Sequence, residues 1–504
     1  MAALLDPRAL EERTQAIGQE LFAAAKREHA HLSVLNRWTQ QVLSWCLADP
    51  ALKGSVLRFI DVLPSLRSPQ AIARHVRDYF PTTNLRLPAA LRIGSTLARS
   101  GLLTATAVSS VITQMVEQVA RQFIAETGAE GLQRTVQQLA ARGATCSLDV
   151  LGEQVLSEAE ADRYVEQCRL ALRQLARGPQ PHLSVKPSAL TPRFDPISPP
   201  SSIAQAAKRL APVLQQAKES GVLVTLDMEQ YALRDLTISL AMHLLEQSVA
   251  GKPAGLGIVI QAYVRDADGV VDRLLQWLTA HKATVTVRLV KGAYWDHEVA
   301  HATQRHWPIP VYQDKAETDA AFERLTRKLL SAHPLVTTAI ASHNVRSIAH
   351  AMAVADALGL PKTQVEFQLL YGMGAALGAA IAGRGYPLRI YTPVGALIPG
   401  MAYLVRRLLE NTANESFLRQ EFIAERSPEE LLMTPVVAAE GGARPRPAPV
   451  VWSGEPPVNF SEETERARMS HAIAAVRAQL GRRYPVLLAD RTVEDTEPLV
   501  VHNP

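Results

Sequence analysis

The feature that most restricts the fold is a regular alternation of strand-like and helix-like segments between residues 145 and 391. The strand-like segments are short and rich in Val, Ile and Leu, as buried parallel strands are. Eight can be counted, at 145–150, 182–186, 222–227, 256–263, 284–291, 336–341, 365–370 and 388–391. Segments with apolar residues at helical spacing separate them, for example 201–220 and 316–333. The pattern predicts an α/β fold, a (βα)₈ barrel, which usually takes about 250 residues.

Polar side chains lie at, or just after, the carboxyl ends of seven of these eight strands. They are Lys186, Asp227, Gln261, Arg288 with Lys291, His343 with Asn344, Gln368 and Tyr391. The chemistry of a (βα)₈ barrel gathers at the carboxyl ends of its strands. Solvation alone would not place polar residues so regularly, so the sequence predicts an active site at this end.

The segment 285–295 combines an apolar strand with a cluster of chemically active side chains. Arg288 and Lys291 lie at its end, Gly292 permits a close backbone approach, and Tyr294 and Trp295 offer flat surfaces. This combination fits a planar, phosphorylated cofactor. The alternative is a strand whose two cations form ion pairs with acidic residues at a barrel rim.

Residues 403–410 form a predicted helix with two adjacent arginines, Arg406 and Arg407, and Glu410 about one turn later. Paired guanidinium groups recognise a carboxylate well, although a solvated basic helix face would look the same. Asp227 ends an apolar strand and needs a cation to stay ionised, unless it caps a helix. Lys186 can bind an anion, form a Schiff base or make a rim ion pair.

Composition excludes several classes of protein. A formal net charge of +4 over 504 residues, without a dense basic run, disfavours a nucleic-acid partner. The three cysteines are widely spaced, which argues against a disulfide framework or a zinc site and fits a reducing compartment. No signal peptide or membrane span is evident, so we expect a cytoplasmic protein.

The same reading predicts four regions along the chain. Residues 1–140 form a helical arm and cap, and residues 141–425 form the barrel. A linker with a short helix follows at 426–482, and 483–504 resemble the opening strands of another domain. From the residues alone, three functions stay open: a Schiff-base aldolase, a flavoenzyme acting on an amino or carboxylic acid, and an interaction scaffold.

Four motifs in this order give the chain a specific resemblance. They are SVKPSAL at 184–190, VKGAYW at 290–295, YTPVG at 391–395, and the helix 403–411. Together they closely resemble proline dehydrogenase, in particular the proline dehydrogenase half of bacterial proline utilization A. The resemblance implies a distorted (βα)₈ barrel that holds FAD noncovalently and oxidises L-proline to Δ1-pyrroline-5-carboxylate. It also implies electron transfer to a membrane quinone by an enzyme at the inner face of the membrane, and we expect a homodimer.

The resemblance also assigns roles to individual residues. For the substrate these are Lys186, Arg406 and Arg407 on the carboxylate, Asp227 supporting them, Leu289, Tyr294 and Tyr391 around the ring, and Glu410 as an ion-pair partner. For FAD they are Gln261, Arg288, Val290, Lys291, Gly292, Ala293, Trp295 and His343, with Lys315 on the adenosine side. Arg288, near flavin N5, and Tyr391 are the expected catalytic residues.

Two departures from the full-length relatives shape the expected function. No ribbon-helix-helix segment precedes the helical arm, so a DNA-binding role is not expected. Residues 484–504 resemble only the first strands of the aldehyde dehydrogenase half, and no nucleotide-binding domain or catalytic cysteine follows. We therefore expect this chain to lack aldehyde dehydrogenase activity.

Overall fold

A computed structural model gives the architecture of the chain. It describes residues 6–29, 50–79, 105–125, 128–152, 154–175, 178–248, 255–395, 400, 427–435, 454–482, 485–489, 491–493 and 497. The chain divides into two compact units, residues 1–454 and residues 455–504.

The first unit is built on a closed barrel of eight parallel strands in sequential order. The strands are β1 Ala144–Val150, β2 His182–Val185, β3 Leu223–Leu226, β4 Leu256–Gln261, β5 Val285–Val290, β6 Val336–Ala341, β7 Val365–Leu370 and β8 Leu388–Val394. β8 closes the barrel on β1, with Ser147 opposite Tyr391. Almost every strand residue is buried, because helices cover the outside and side chains fill the inside. The predicted (βα)₈ barrel is confirmed.

Helices follow the strands and form the outer layer. They are α6 Glu158–Leu175, α7 Pro199–Ser220, α8 Arg234–Ser248, α9 Ala267–His281, α10 Trp295–Gln304, α11 Lys315–Ser331, α12 Val345–Ala357 and α13 Ala375–Gly383. α11 begins with a capping box formed by Asp314 and Glu317. α12 begins at Asn344, whose side chain accepts a hydrogen bond from Ser347 N. The strand ends are thereby fixed in position at the mouth of the barrel.

Among the described residues, five helices precede the barrel, in the region predicted to be a helical arm and cap. They are α1 Pro7–His29, α2 Pro50–Val62, α3 Pro69–Tyr79, α4 Ala105–Ala120 and α5 Ala129–Ala141. α2, α3 and α4 share a small core of their own around Phe59, Leu63 and Val76. α1 packs instead on α12 and α13 of the barrel.

A buried arginine joins α1 to the barrel. The guanidinium of Arg346, on α12, donates to both carboxylate oxygens of Glu11 at 2.8 Å and also to Glu323. Hydrogen bonds from Arg346, partly offset by burial, lower the pKa of Glu11 from 4.5 to about 2. Arg346 also donates to the carbonyl of Leu432 at 2.6 Å, beside the short helix α14 Pro428–Leu431. Segments from both ends of the first unit therefore meet on one charged group.

The mutation Glu11→Gln should lower the free energy of unfolding by about 1.5–3 kcal/mol at pH 7, the usual contribution of a hydrogen bond to a charged group. A carboxyl whose pKa is depressed on folding stabilises the fold above its unfolded value near 4.5, and this contribution fades as the pH falls towards 2. Urea denaturation at pH 7 and pH 3 should therefore show a smaller difference at pH 3. Glu12→Gln is the matched control, since Glu12 is exposed on the same helix; an equal effect there would contradict the prediction.

The second unit contains one helix and a small antiparallel sheet among its described residues. The helix is α15 Glu463–Arg477, within the predicted linker region. The strands are β9 Val486–Leu488 and β10 Arg491–Val493, with Leu488 opposite Arg491. The prediction that 483–504 open another domain stays a prediction.

Within the described residues, no helix combines the length and apolar character needed to cross a bilayer.

Candidate active site

Arg288 occupies the centre of the site. It lies on β5 with its side chain inside the barrel, where only 4% of the residue is exposed. The guanidinium donates to three acceptors, on β7, just after β3 and on β2: Gln368 Oε1 at 2.7 Å, Asp227 Oδ1 at 2.7 Å and Ser184 Oγ at 3.0 Å. A guanidinium can satisfy three acceptors at once because its donors form a rigid planar fork. The barrel therefore fixes both the position and the plane of this cation.

Asp227 connects Arg288 to Tyr391. Its second carboxylate oxygen accepts a hydrogen bond from the Tyr391 hydroxyl at 2.7 Å. The guanidinium carbon of Arg288 also lies 5.1 Å from the centre of the Tyr391 ring. Burial, together with the nearby charges of Asp149 and Asp227, raises the pKa of Tyr391 well above 10. Tyr391 therefore stays a neutral donor, and three predicted site residues form one connected group.

Lys186, at the end of β2, forms a buried ion pair with Asp149 on β1. Its backbone nitrogen donates to the hydroxyl of Tyr164 at 2.8 Å, which fixes the turn after the strand. Burial opposes the charge on Lys186, but the carboxylates of Asp149 and Asp227 outweigh it and raise the pKa of the amine. Lys186 is thus an ammonium group, held at the same end of the barrel as Arg288.

Asp149 is a site residue that the sequence reasoning missed. It is 1% exposed, and its Oδ2 atom has no hydrogen-bond partner in the described structure. Seven strand ends were recognised by their polar residues, and the remaining strand, β1, carries Asp149 one residue before its end. The same rule applied to that strand would have found it.

Glu229 also lies near this group and was not predicted. Its carboxylate accepts hydrogen bonds from Ser188 N at 3.0 Å and Ser188 Oγ at 2.6 Å. Ser188 belongs to the single helical turn Pro187–Ala189 that follows Lys186. Glu229 therefore holds the turn that positions the lysine.

Residues predicted to contact FAD lie at the ends of β4, β5 and β6 and at the start of α11. Gln261 is buried and donates to the carbonyl of Glu229 at 3.2 Å, while its Oε1 atom is buried without a partner. His343 Nε2 accepts from Leu370 N at 3.0 Å, so the neutral ring carries its proton on Nδ1 and can donate there. The Trp295 ring is 41% exposed, and its Nε1 donates to the carbonyl of Tyr312 at 2.8 Å.

The turn after β5 lets the backbone approach closely. Gly292 has a φ of +137°, and a Cβ atom there would lie 2.5 Å from the ring of Tyr263. Only glycine fits this position without strain. Val290 and Ala293 flank the turn, with Ala293 exposed and Val290 half-buried.

Lys291 and Lys315 converge on one carboxylate, that of Asp319. Burial opposes ionisation of Asp319, but the two lysines outweigh it and lower its pKa. Burial lowers the pKa of Lys291, and the charge of Asp319 opposes this. Two lysines on one carboxylate suit an anionic diphosphate. With the unpartnered amide oxygen of Gln261 and the partly exposed Trp295, these side chains fit FAD.

Not every expected residue joins this group. Arg406, Arg407 and Glu410 lie outside the described residues. Tyr294 immediately precedes α10 and is half-buried. Leu289 is fully buried on β5, but strand alternation directs it to the face opposite Arg288, towards the helices. Its expected contact with a substrate ring stays a prediction.

No cluster of three or more His, Cys, Asp and Glu side chains within the described residues is arranged to hold a metal ion.

Comparison with known proteins identifies the family. The proline dehydrogenase profile matches residues 132–420, which is more than half of the chain and includes every strand of the barrel. The chain belongs to the proline dehydrogenase family. A second profile, the proline utilization A N-terminal domain, matches residues 11–123, which include most of α1 and all of α2, α3 and α4.

The chain matches both a long bifunctional relative and a shorter proline dehydrogenase. It is 32% identical to the bifunctional protein PutA of Salmonella typhimurium over 414 residues, 76% of this chain and 31% of the relative. It is 31% identical to proline dehydrogenase 1 of Bacillus subtilis over 300 residues, 59% of this chain and 89% of that protein. The match thus spans less than a third of the bifunctional relative and nearly nine-tenths of the shorter one.

A solved structure supports the same assignment. Proline utilization A from Bdellovibrio bacteriovorus, inactivated by N-propargylglycine, superimposes with a TM-score of 0.84 at 33% identity. The match covers 97% of this chain and 50% of that protein.

Proposed function

We propose that this proline dehydrogenase family member oxidises L-proline to Δ1-pyrroline-5-carboxylate, with FAD as its cofactor, as the first step of proline catabolism to glutamate. The observation that carries the proposal is the placement of two buried cations, Lys186 and Arg288, at the same end of the family's barrel. Each is paired with a buried carboxylate, Asp149 or Asp227. One can hold a substrate carboxylate while the other faces the reacting centre.

FAD, when bound, would supply the hydride acceptor. Gln261, His343 and Trp295 would contact its ring system or the groups next to it. Lys291 and Lys315 would bind its anionic part, and the turn at Val290, Gly292 and Ala293 would let the backbone approach. Arg288 would present a fixed positive charge where negative charge develops during reduction.

The substrate would be held by its carboxylate. Lys186 would contribute one cation to this site, and Arg406 with Arg407 would complete it, with Glu410 as their ion-pair partner. Tyr391 would pack against the ring while its hydroxyl stays bonded to Asp227, and Tyr294 would approach from the β5 side. No protein nucleophile is needed, because the residues act by fixing the ring and the charges around it.

The aldolase alternative would use Lys186 or Lys291, and it is not favoured at Lys186. A Schiff-base lysine needs a neutral amine, usually obtained by lowering its pKa. The two carboxylates near Lys186 have the opposite effect. As parts of the same proposal, electrons pass on to a membrane quinone, and the chain works as a homodimer at the inner face of the membrane.

An anaerobic absorbance spectrum tests the proposal. The purified chain is reconstituted with FAD and measured before and after addition of L-proline, with L-alanine and 4-hydroxyproline as comparisons. Selective bleaching of the oxidised-flavin band by L-proline is the expected result. Bound flavin that does not bleach would contradict the substrate, and absence of bound flavin would contradict the cofactor.

We predict that the rate of flavin reduction by L-proline rises with pH. The nitrogen lone pair assists departure of hydride from the adjacent carbon, so the neutral amine is the reactive form. Raising the pH increases the neutral fraction of an amine that is mostly protonated at pH 7. Stopped-flow reduction from pH 6 to pH 9 measures this, and a flat profile would contradict it.

A further inference from the structure

A series of hydrogen-bonded polar side chains extends inside the barrel from Arg288 towards the amino ends of the strands. Gln368 accepts from Arg288 at 2.7 Å and donates through its Nε2 atom to Glu366 Oε1 at 2.6 Å. Arg389 in turn donates to both oxygens of Glu366, at 2.8 and 2.7 Å. We call Gln368, Glu366 and Arg389 the axial column.

The axial column is anchored at the amino end of the barrel. Arg389 donates to the carbonyl of Gln180, just before β2, at 2.7 Å and to the carbonyl of Cys146 on β1 at 3.2 Å. Gln368 and Arg389 are only 3% and 4% exposed. The column therefore spans the interior from the backbone at one end to Arg288 at the other.

Such a column is unusual, because branched apolar side chains normally fill the interior of a (βα)₈ barrel. Buried polar groups are costly unless each finds a partner, and they rigidify their surroundings when all are satisfied. Here the charges of Glu366 and Arg389 are paired, and both ends of the Gln368 amide are used. This arrangement is typical of side chains that hold a neighbouring group in place, and less so of side chains that only fill the barrel interior.

The amide of Gln368 has a definite direction. Its oxygen faces a guanidinium that can only donate, and its nitrogen faces a carboxylate that accepts. A carboxylate at this position would oppose Glu366, and an apolar side chain would satisfy neither neighbour. Gln368 also contacts the Nε edge of Arg288, whereas Asp227 and Ser184 contact the other two nitrogens. Without Gln368, nothing described holds that edge of the guanidinium.

We propose that Gln368 is a positioning residue for the reaction: supported by Glu366 and Arg389, it fixes the plane in which Arg288 presents its charge to the cofactor. The inference rests on the proposed function of Arg288. It assigns no contact with substrate or FAD to the axial column itself. Its effect passes through one hydrogen bond.

Gln368→Met tests the proposal in the FAD-loaded chain, because methionine has a similar volume and offers no hydrogen bond to Arg288. We expect the rate of flavin reduction by L-proline to fall about 10–100-fold, as when a reacting group is misplaced by up to about 1 Å. The KM for L-proline should change little, because Lys186 is untouched. The midpoint potential of the bound flavin should become more negative, since a loosened cation stabilises reduced flavin less. Gln137→Met, at an exposed position on α5, is the matched control.

A double-mutant cycle separates positioning from a general effect on the fold. In an Arg288→Lys background, Gln368→Met should change the reduction rate by less than about threefold, because coupled residues are not additive. Additive effects would overturn the proposal, as would a Gln368→Met variant with normal rate and potential. Should this variant fail to fold, Gln368→Asn replaces it with the same expectations, since its amide is one methylene too short to bridge both partners.

The flavin potential also distinguishes a failure of the proposed function from a failure of the positioning role of Gln368. If L-proline does not reduce the unmodified chain, the proposed function fails, but the potentials of the unmodified chain and the Gln368 variant still test the positioning. If the chain binds no flavin, both fail. If the unmodified chain is reduced and the variant matches it in rate and potential, only the positioning fails.

Discussion

Arg288→Lys should lower kcat/KM for L-proline by about 10²–10³-fold, the range found when one electrostatic contact to a developing charge is removed. The arginine donates through three nitrogens to Gln368, Asp227 and Ser184. A lysine has one nitrogen on a flexible stem and cannot keep these three bonds in one plane. The positive charge would remain in the barrel, but its position and orientation would be lost.

The loss should appear in the rate of flavin reduction more than in substrate binding. Arg288 is not among the groups proposed to hold the substrate carboxylate, so KM should rise only slightly. Single-turnover reduction under anaerobic conditions measures the rate, and a titration with L-proline gives the apparent affinity. Arg142→Lys, an exposed conservative change after α5, is the control. A variant that reduces flavin at the normal rate would show that orientation of the guanidinium is not required.

The barrel was predictable from sequence because each strand must be buried on both faces. The apolar run at 336–341 corresponds to β6, Val336–Ala341, and that at 365–370 to β7, Val365–Leu370. The predicted helix at 201–220 begins two residues earlier in the structure, at Pro199, since a proline is favoured in the first helical turn. For these segments the local pattern of apolar residues agrees with the burial in the fold. The barrel could therefore be predicted by counting the strand-like segments.

Ion pairs between side chains of neighbouring strands were not predictable in the same way. Asp149 sits between Leu148 and Val150 and reads as an ordinary member of a strand, while its partner Lys186 lies 37 residues away. Parallel pairing of β1 with β2 places Asp149 opposite Ser184, and only then does the ion pair form. Glu366 and Arg389 likewise meet through the pairing of β7 with β8. No local pattern contains these contacts.

Leu289 shows why a role transferred from a resemblance needs a test of its own. Arg288 and Leu289 are neighbours in sequence, and both were expected in the site. Successive strand residues point to opposite faces, so the two side chains separate. Both residues are buried, and the guanidinium of Arg288 bonds three side chains inside the barrel. The contact of Leu289 with the substrate ring stays a prediction.

Lys186→Met should both weaken substrate binding and destabilise the fold. We expect KM for L-proline to rise about 10²–10³-fold, as when one partner of a desolvated charge pair is removed. The free energy of unfolding should fall by about 3–5 kcal/mol, because Asp149 would become a buried carboxylate without its cation. Urea denaturation measures the stability, and steady-state kinetics with the folded fraction measures KM.

The double variant Lys186→Met with Asp149→Asn separates the two effects. Removing the carboxylate should recover most of the lost stability, while KM stays high because the ammonium group is still absent. The pH dependence provides a second check, since burial raises the pKa of Asp149. A raised folded pKa means that stability is greatest at acid pH and is lost as the carboxyl ionises. The single variant should therefore gain stability on acidification relative to the double variant. Equal instability of the two variants at pH 7 would show that the lysine stabilises the barrel by packing and not by neutralising Asp149.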